Sequence, residues 1–234
     1  MKLDRVIAKH RSLGRSEAHR LIAAGRVFVD GEVSLGNQHE VDRFMSVLLD
    51  DEVVQQAERA LYLMMHKPGG VVSATVDAEH RTVIDLIDDP DRHTLHIAGR
   101  LDRWSTGLLI LTNDGKWSKR FMDAGSKVPK TYLVQTDVPI PAEAVSAFAE
   151  GFHFAAEDII TLPAELALLG EKSARVTLHE GRHHQIKRMF GRVGCLVTAL
   201  HRESIGGLIL PADLEAGQWR EMTPEEREAT LEGV

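Results

Sequence analysis

At 234 residues the chain is long enough to bury a full core without covalent staples, and its one cysteine, Cys195, excludes an intrachain disulfide framework. No run approaches the roughly 18 apolar residues of a membrane span, and "MKLDRVIAKH" has neither the apolar stretch nor the cleavage site of a secretory leader, so a cytoplasmic protein without a membrane partner is expected. The formal net charge of −7 argues against a nucleic-acid partner for the chain taken whole, yet charge acts through its distribution more than through its sum.

That distribution is uneven. Over residues 1–29, Lys2, Arg5, Lys9, Arg11, Arg15, Arg20 and Arg26 stand against only Asp4 and Glu17, whereas acids crowd the last segment, "PADLEAGQWREMTPEEREATLEGV". A basic head of this kind is either a solvated helix face or an anion-binding surface, and charge alone leaves both open. Within it, "GRSEAHRLIAAGRVFVDGEV" (14–33) reads as a helix capped by Ser16, with Ala18, Leu21 and Ile22 on one face and Gly25 stopping it in a left-handed conformation. Val27 and Val29 then alternate as a strand, and Asp30-Gly31 makes a hairpin turn. The polar "DDEVVQQAERA" (50–60) reads as a linker, which divides the chain into 1–58 and 59–234.

From "LYLMMHKPGGVVSA" onward, short strand-like runs alternate with helices, the pattern of a mixed α/β domain. "HKPGG" (66–70) is a basic residue ahead of a Pro-Gly turn. In "GRLDRWSTGLLILTNDG" (99–115), Asp102 stands between Arg100 and Arg103, just before "LLILT", a strand too apolar to have a wet face. Asn113-Asp114-Gly115 then turns into the helix "KWSKRFMD". Segments that lead into a buried strand commonly present chemistry, although a carboxylate there also suits a cap or a pairing with Arg100. "PIPAEAVSAFAEG" has Pro141 at a helix start, an apolar set at Val145, Phe148 and Ala149, and Gly151 as its stop.

"HEGRH" (179–183) matches the H-E-x-x-H zinc pattern, which needs both histidines on one helix face. Here Val176 and Leu178 alternate inward as in a strand, and Gly181 inside a helix costs about 1 kcal/mol relative to Ala. No metal site is therefore expected. The helix starts near His184 and buries Ile186, Met189, Phe190 and Val193, turning Lys187 and Arg188 elsewhere. Such a basic helix start suits a phosphate or carboxylate partner, or is simply solvated. "TPEEREATLE" sets Thr223, Pro224 and Glu226 in capping-box register for a last surface helix.

"GRLDRWSTGLLILTNDG", "KTYLV" (130–134) and "EGRHHQIKRMF" (180–190) resemble the three signature segments of the pseudouridine synthases that act on ribosomal RNA. Residues 1–48 resemble the S4-type RNA-binding domain often joined to them, and "HRESIGG" (201–207) extends the likeness along the chain. The resemblance implies an α+β fold: a small S4-type domain, then a catalytic domain with a mixed, largely antiparallel sheet and flanking helices. "DGKWSKR", "KTYLV" and "HRESIGGLIL" look most like the small-subunit branch, which implies conversion of uridine 516 of 16S rRNA to pseudouridine. A large-subunit (23S) rRNA enzyme and a non-catalytic S4-type RNA-binding protein are the alternatives. His183 stands where the branch usually has tyrosine, and Pro129 where an acid is common.

By the same resemblance Asp102 is the catalytic carboxylate and Lys187, in "HQIK", the cation that keeps it charged. Tyr132, in "KTYLV", is the active-site tyrosine, which stacks on the uracil or helps to remove its C5 proton. Arg100 fills the space left when the target nucleotide swings out of the RNA. Thr106, Gln185 and Arg182 are further candidate substrate contacts, and Lys2, Arg5, Arg15, Arg20 and Arg26 candidate phosphate contacts. Isomerisation transfers no group and no electrons, so no metal or organic cofactor is implied. The implied partner is ribosomal RNA within a small-subunit assembly intermediate, met by a monomer.

Overall fold

Leu3, Ile7, Ala18 and Ile22 expose no surface, and they hold α1 (Leu3–Arg11) and α2 (Arg15–Ala23) against a small sheet in the first of two units, Met1–Ala60 and Leu61–Val234. The structure, a computed structural model, describes all residues but Ala124, Ala156 and Val234. Asp30 and Gly31 both have positive φ, so a two-residue turn joins β1 (Val27–Val29) to β2 (Glu32–Val33) as their Asp-Gly sequence requires. Gly25 also takes the left-handed φ expected of it, 71°.

Two local readings of this unit need correction. The N-cap of α2 is Gly14, without a side-chain cap, and Ser16 lies inside the first turn. The cause is upstream: Ser12 ends α1 in a left-handed conformation and reverses the chain at once, so α2 starts earlier than its serine. The supposed linker at 50–60 holds β4 (Glu52–Gln55), which pairs with β3 (Val47–Leu49) at the edge of a sheet ordered β2-β1-β3-β4. An edge strand with one side open to water accommodates charged residues, which is why it is polar.

The second unit is built on a nine-stranded sheet. Its elements are β5 (Tyr62–Lys67), β6 (His96–Ala98), β7 (Thr106–Thr112), α3 (Gly115–Met122), β8 (Lys130–Thr136) and α4 (Ala144–Glu150). A separate hairpin, β9 (His153–Phe154) and β10 (Ile159–Ile160), precedes β11 (Glu165–Gly170), β12 (Ser173–Leu178) and α5 (Gln185–Arg192). The chain continues through β13 (Val197–Ile205), β14 (Leu208–Ile209), β15 (Trp219–Glu221) and α6 (Pro224–Ala229). The strand order is β11-β12-β8-β13-β7-β5-β15, with β14 beside β13 and β6 beside β7. Among these pairings only β13 with β7 is parallel, so the sheet is mixed and largely antiparallel, as expected.

The unbroken apolar run of β7 follows from its central place. Leu109 and Leu111 enter a core with Phe148 of α4 and Ile186, Met189 and Phe190 of α5, while Leu108 and Ile110 enter another with Trp117 and Phe121 of α3. A strand covered on both faces has no wet side to mark with polar residues. Asp114 caps α3 by accepting from the amides of Lys116 and Trp117, and Thr223 and Glu226 form the reciprocal capping box of α6. In α4 the buried pair is Ala144 and Phe148; Val145 and Ala149 are exposed, because the helix begins three residues after Pro141 and presents a different face. No helix among the described residues is long and apolar enough to cross a membrane.

Candidate active site

Strand register sets the floor of the site. Lys67 of β5 lies opposite Gly107 of β7, Gly107 opposite Arg202 of β13, and Arg202 opposite Tyr132 of β8. Residues paired in this way share one face of a sheet, here the face that α5 covers. Above it runs the segment that feeds β7 and carries Asp102.

This segment is fastened by its own backbone. The carbonyl of Gly99 accepts from Arg202 Nη2 (2.8 Å), that of Leu101 from Ser73 Oγ (2.7 Å), and those of Arg103 and Ser105 from Lys67 Nζ (3.1 and 2.9 Å). Arg202 Nε also reaches the Leu108 carbonyl at 2.8 Å, and Lys67 Nζ that of Pro68 at 2.9 Å. Both cations are wholly buried, and among the described residues neither has a carboxylate within ion-pair distance. Burial pushes the Lys67 pKa down to about 8; the charge of Asp102 opposes the shift and that of Arg202 adds to it. With alternate carbonyls tied down, the intervening side chains of Arg100, Asp102 and Trp104 are presented from a rigid loop.

Asp102 meets the start of α5. Lys187 Nζ donates to its Oδ2 at 2.6 Å, and His184 Nε2 lies 3.2 Å from Oδ1. Residues three apart on a helix share a face, so positions 184 and 187 address the two oxygens together. His184 has a left-handed backbone (φ 50°) and its ring stacks on His183 at 3.8 Å. The Asp102 side chain is 28% exposed, so the carboxylate is held by Lys187 and His184 while remaining open to a ligand.

Other sequence-derived candidates divide into free and occupied groups. Arg100 is exposed and, among the described residues, makes no hydrogen bond or ion pair. Tyr132 is 8% exposed, its ring 6.0 Å from the Arg202 guanidinium and its hydroxyl without a hydrogen-bond partner among the described residues. Thr106 is bonded through Oγ1 to His201 Nδ1 at 2.9 Å. Gln185 and Arg182 both serve Glu180, a buried carboxylate that accepts from Gln185 Nε2 (2.7 Å), Arg182 Nε (2.8 Å) and the Leu162 amide (2.9 Å). The Gln185 oxygen accepts the Arg182 amide, so a substrate contact by this buried amide requires giving up these bonds.

In the first unit, Arg5 is exposed and unpaired among the described residues; Arg15 lies 3.6 Å from Asp4, and Arg20 3.3 Å from Glu17. Lys2 donates to Gln38, and Arg26 is held in a two-point pair by Asp50 (2.8 and 2.5 Å). The zinc pattern is dispersed: β12 ends at Leu178 and α5 begins at Gln185, so His179 and His183 do not share a helix.

Residues 61–191, more than half of the chain, match the sequence family described as RNA pseudouridylate synthase. The chain belongs to this family. It is 49% identical over 226 residues to the ribosomal small subunit pseudouridine synthase A of Pseudomonas aeruginosa, across 97% of this chain and 98% of that protein. The ribosomal small subunit pseudouridine synthase A of Escherichia coli K12 is 40% identical over the same shares. A crystal structure of a pseudouridylate synthase superimposes with a TM-score of 0.72 at 36% identity, covering 98% of this chain and 99% of that one.

In this pseudouridine synthase four groups of the site escape a reading of residue patterns. Lys67 follows Leu63 and Met65 at the two-residue period of a strand, and that parity is the signal that its side chain points inward. His184 is marked by its spacing of three from Lys187. Glu180 and Arg202 carry no local sign, because their partners lie in other elements or across a turn.

Proposed function

We propose that this enzyme converts uridine 516 of 16S rRNA to pseudouridine, in the cytoplasm and as a monomer, on a small-subunit assembly intermediate. The observation that carries the reading is the Asp102 carboxylate, fixed on a tethered loop and held by Lys187 from 85 residues away. The 49% identity to a small-subunit enzyme supports the choice of RNA.

The chemistry is an isomerisation. The N1–C1′ bond of the target uridine breaks, the uracil turns, a C5–C1′ bond forms, C5 loses its proton and N1 gains one. Positive charge grows at C1′ as the first bond breaks, and Asp102 meets it as a counter-charge or as a bonding nucleophile. Lys187 and His184 fix both carboxylate oxygens for that encounter. Tyr132 flanks the base, and its free hydroxyl helps to relay the C5 proton to solvent by giving up its own proton as it takes that one. The unpaired guanidinium of Arg100 takes the place of the extruded nucleotide, which offsets part of the few kcal/mol of unstacking. Gln185 and Arg182 act through Glu180 as positioning residues, and Thr106 is steadied by His201.

Pseudouridine mapping of ribosomal RNA from cells lacking the protein tests the reading. The expected result is loss of one modification, at position 516 of the small-subunit RNA. A loss confined to 23S rRNA overturns the choice of substrate.

Residues 1–48 act in this scheme as an S4-type RNA holder within the first domain, 1–58. Lys2, Arg5, Arg15, Arg20 and Arg26 contact phosphate, with Arg26 the least available because Asp50 already holds it. Replacing Arg15 and Arg20 together with Ala is expected to weaken RNA binding and to flatten its salt dependence. Each lost phosphate contact reduces the slope of log affinity against log salt by about 0.7–0.9. An unchanged slope in a salt titration removes this face from the RNA path.

A further inference from the structure

We propose that Trp104 is a stacking platform for the base of a nucleotide next to the target uridine; the inference rests on the RNA-directed function proposed above. Trp117 and Trp219 are buried or half-buried, but Trp104 is 71% exposed. Two residues of chain separate the Cα atoms of Trp104 and Asp102 by at most about 7 Å. A base on this ring therefore belongs to a near neighbour of the nucleotide whose ribose meets Asp102.

The ring is held ready for a partner. It rests on the turn that follows Lys67: a Cβ added at Gly70 would lie 3.5 Å from Trp104 Cζ3, and one at Gly69 3.8 Å from the Trp104 carbonyl oxygen. Gly70 has φ 85°, so the turn itself favours glycine at this point. The two segments are laced together, with the Gly70 amide donating to the Arg103 carbonyl (2.9 Å) and Arg103 Nε to the Gly70 carbonyl (3.2 Å). A platform fixed in this way loses little freedom when it binds.

The surroundings choose the ligand class. The Arg103 guanidinium stands 5.2 Å from the Trp104 ring centroid, and the free Arg100 projects from the same loop. An exposed aromatic ring with guanidinium groups beside it suits a flat base carried on a phosphate chain. It presents one ring rather than the broad apolar patch of a protein interface.

The protein is titrated with a single-stranded RNA spanning position 516 of 16S rRNA while tryptophan emission is followed, and turnover is measured on small-subunit assembly intermediates that contain 16S rRNA. In the wild type, emission is expected to fall as the base covers Trp104, and the fall should vanish in W104F, which retains the other two tryptophans. W104A is expected to raise KM by about five- to hundredfold, with the loss falling on KM rather than kcat, and W104F to restore most of it. Circular dichroism verifies that both variants fold. Wild-type turnover with an unchanged KM in W104A overturns the base contact alone. No wild-type turnover, but quenching that W104F loses, overturns the proposed substrate and keeps the contact; no quenching and no turnover overturns both.

Discussion

Asp102→Asn is expected to give a folded, RNA-binding protein with no detectable conversion of uridine to pseudouridine. Asn keeps the size of the side chain and an oxygen that Lys187 can still donate to, and the loop is held by backbone carbonyls that the substitution does not touch. Loss of a partly exposed ion pair costs about 1 kcal/mol or less, a small part of the stability of a domain. On the proposed reading RNA binding rests on cations elsewhere and loses one repulsive charge, so it should stay equal or tighten slightly. What disappears is the anion: an amide neither bonds to C1′ nor balances the charge that grows there. Tritium release from C5-labelled uridine, run beside a binding titration at one salt concentration, separates the two effects. Residual turnover within tenfold of wild type would remove Asp102 from the chemistry, because tenfold is only about 1.4 kcal/mol.

What could be read in the sequence was what is decided locally. The Asp30-Gly31 hairpin, the turn of Asn113-Asp114-Gly115 into α3, the capping box at Thr223 and the buried run of β7 each follow from a few neighbouring residues, and each is present. The edge strand β4 was hidden because its stability comes from pairing with β3, not from its own composition. The start of α2 was misplaced because the end of α1, not the nearest serine, decides it. In the site, the pair between Asp102 and Lys187 spans 85 residues, so only motif resemblance joins its members before the chain is folded. Glu180 shows the converse. The sequence offers Gln185 and Arg182 as substrate contacts, and the fold turns both onto a carboxylate that follows β12 and is buried.

The floor of the site makes a second large effect predictable at a residue with no side chain. Gly107→Ala is expected to destabilise the Leu61–Val234 unit by about 3–5 kcal/mol, toward the extreme of single substitutions. Gly107 has φ 106°, where an L side chain alone costs about 1–3 kcal/mol. An added Cβ would also fall on the Arg202 carbonyl and only 2.6 Å from the Arg202 amide nitrogen. Neither atom can swing aside, since both belong to the backbone of β13 where it pairs in parallel with β7. Relief requires the two strands to part, which weakens their ladder at about 1 kcal/mol per hydrogen bond. It also draws Arg202 from the carbonyls of Gly99 and Leu108, and the loop that carries Asp102 loses an anchor. Activity should therefore fall further than the folded fraction does. Gly181→Ala is the control, because nothing lies within 4 Å of its Cβ position and its φ is not in the left-handed region. Urea unfolding of both variants followed by circular dichroism, with tritium release measured well below the transition, reads both effects. A loss under about 1 kcal/mol in Gly107→Ala, with normal turnover, would mean that β7 and β13 do not approach as closely as their register requires.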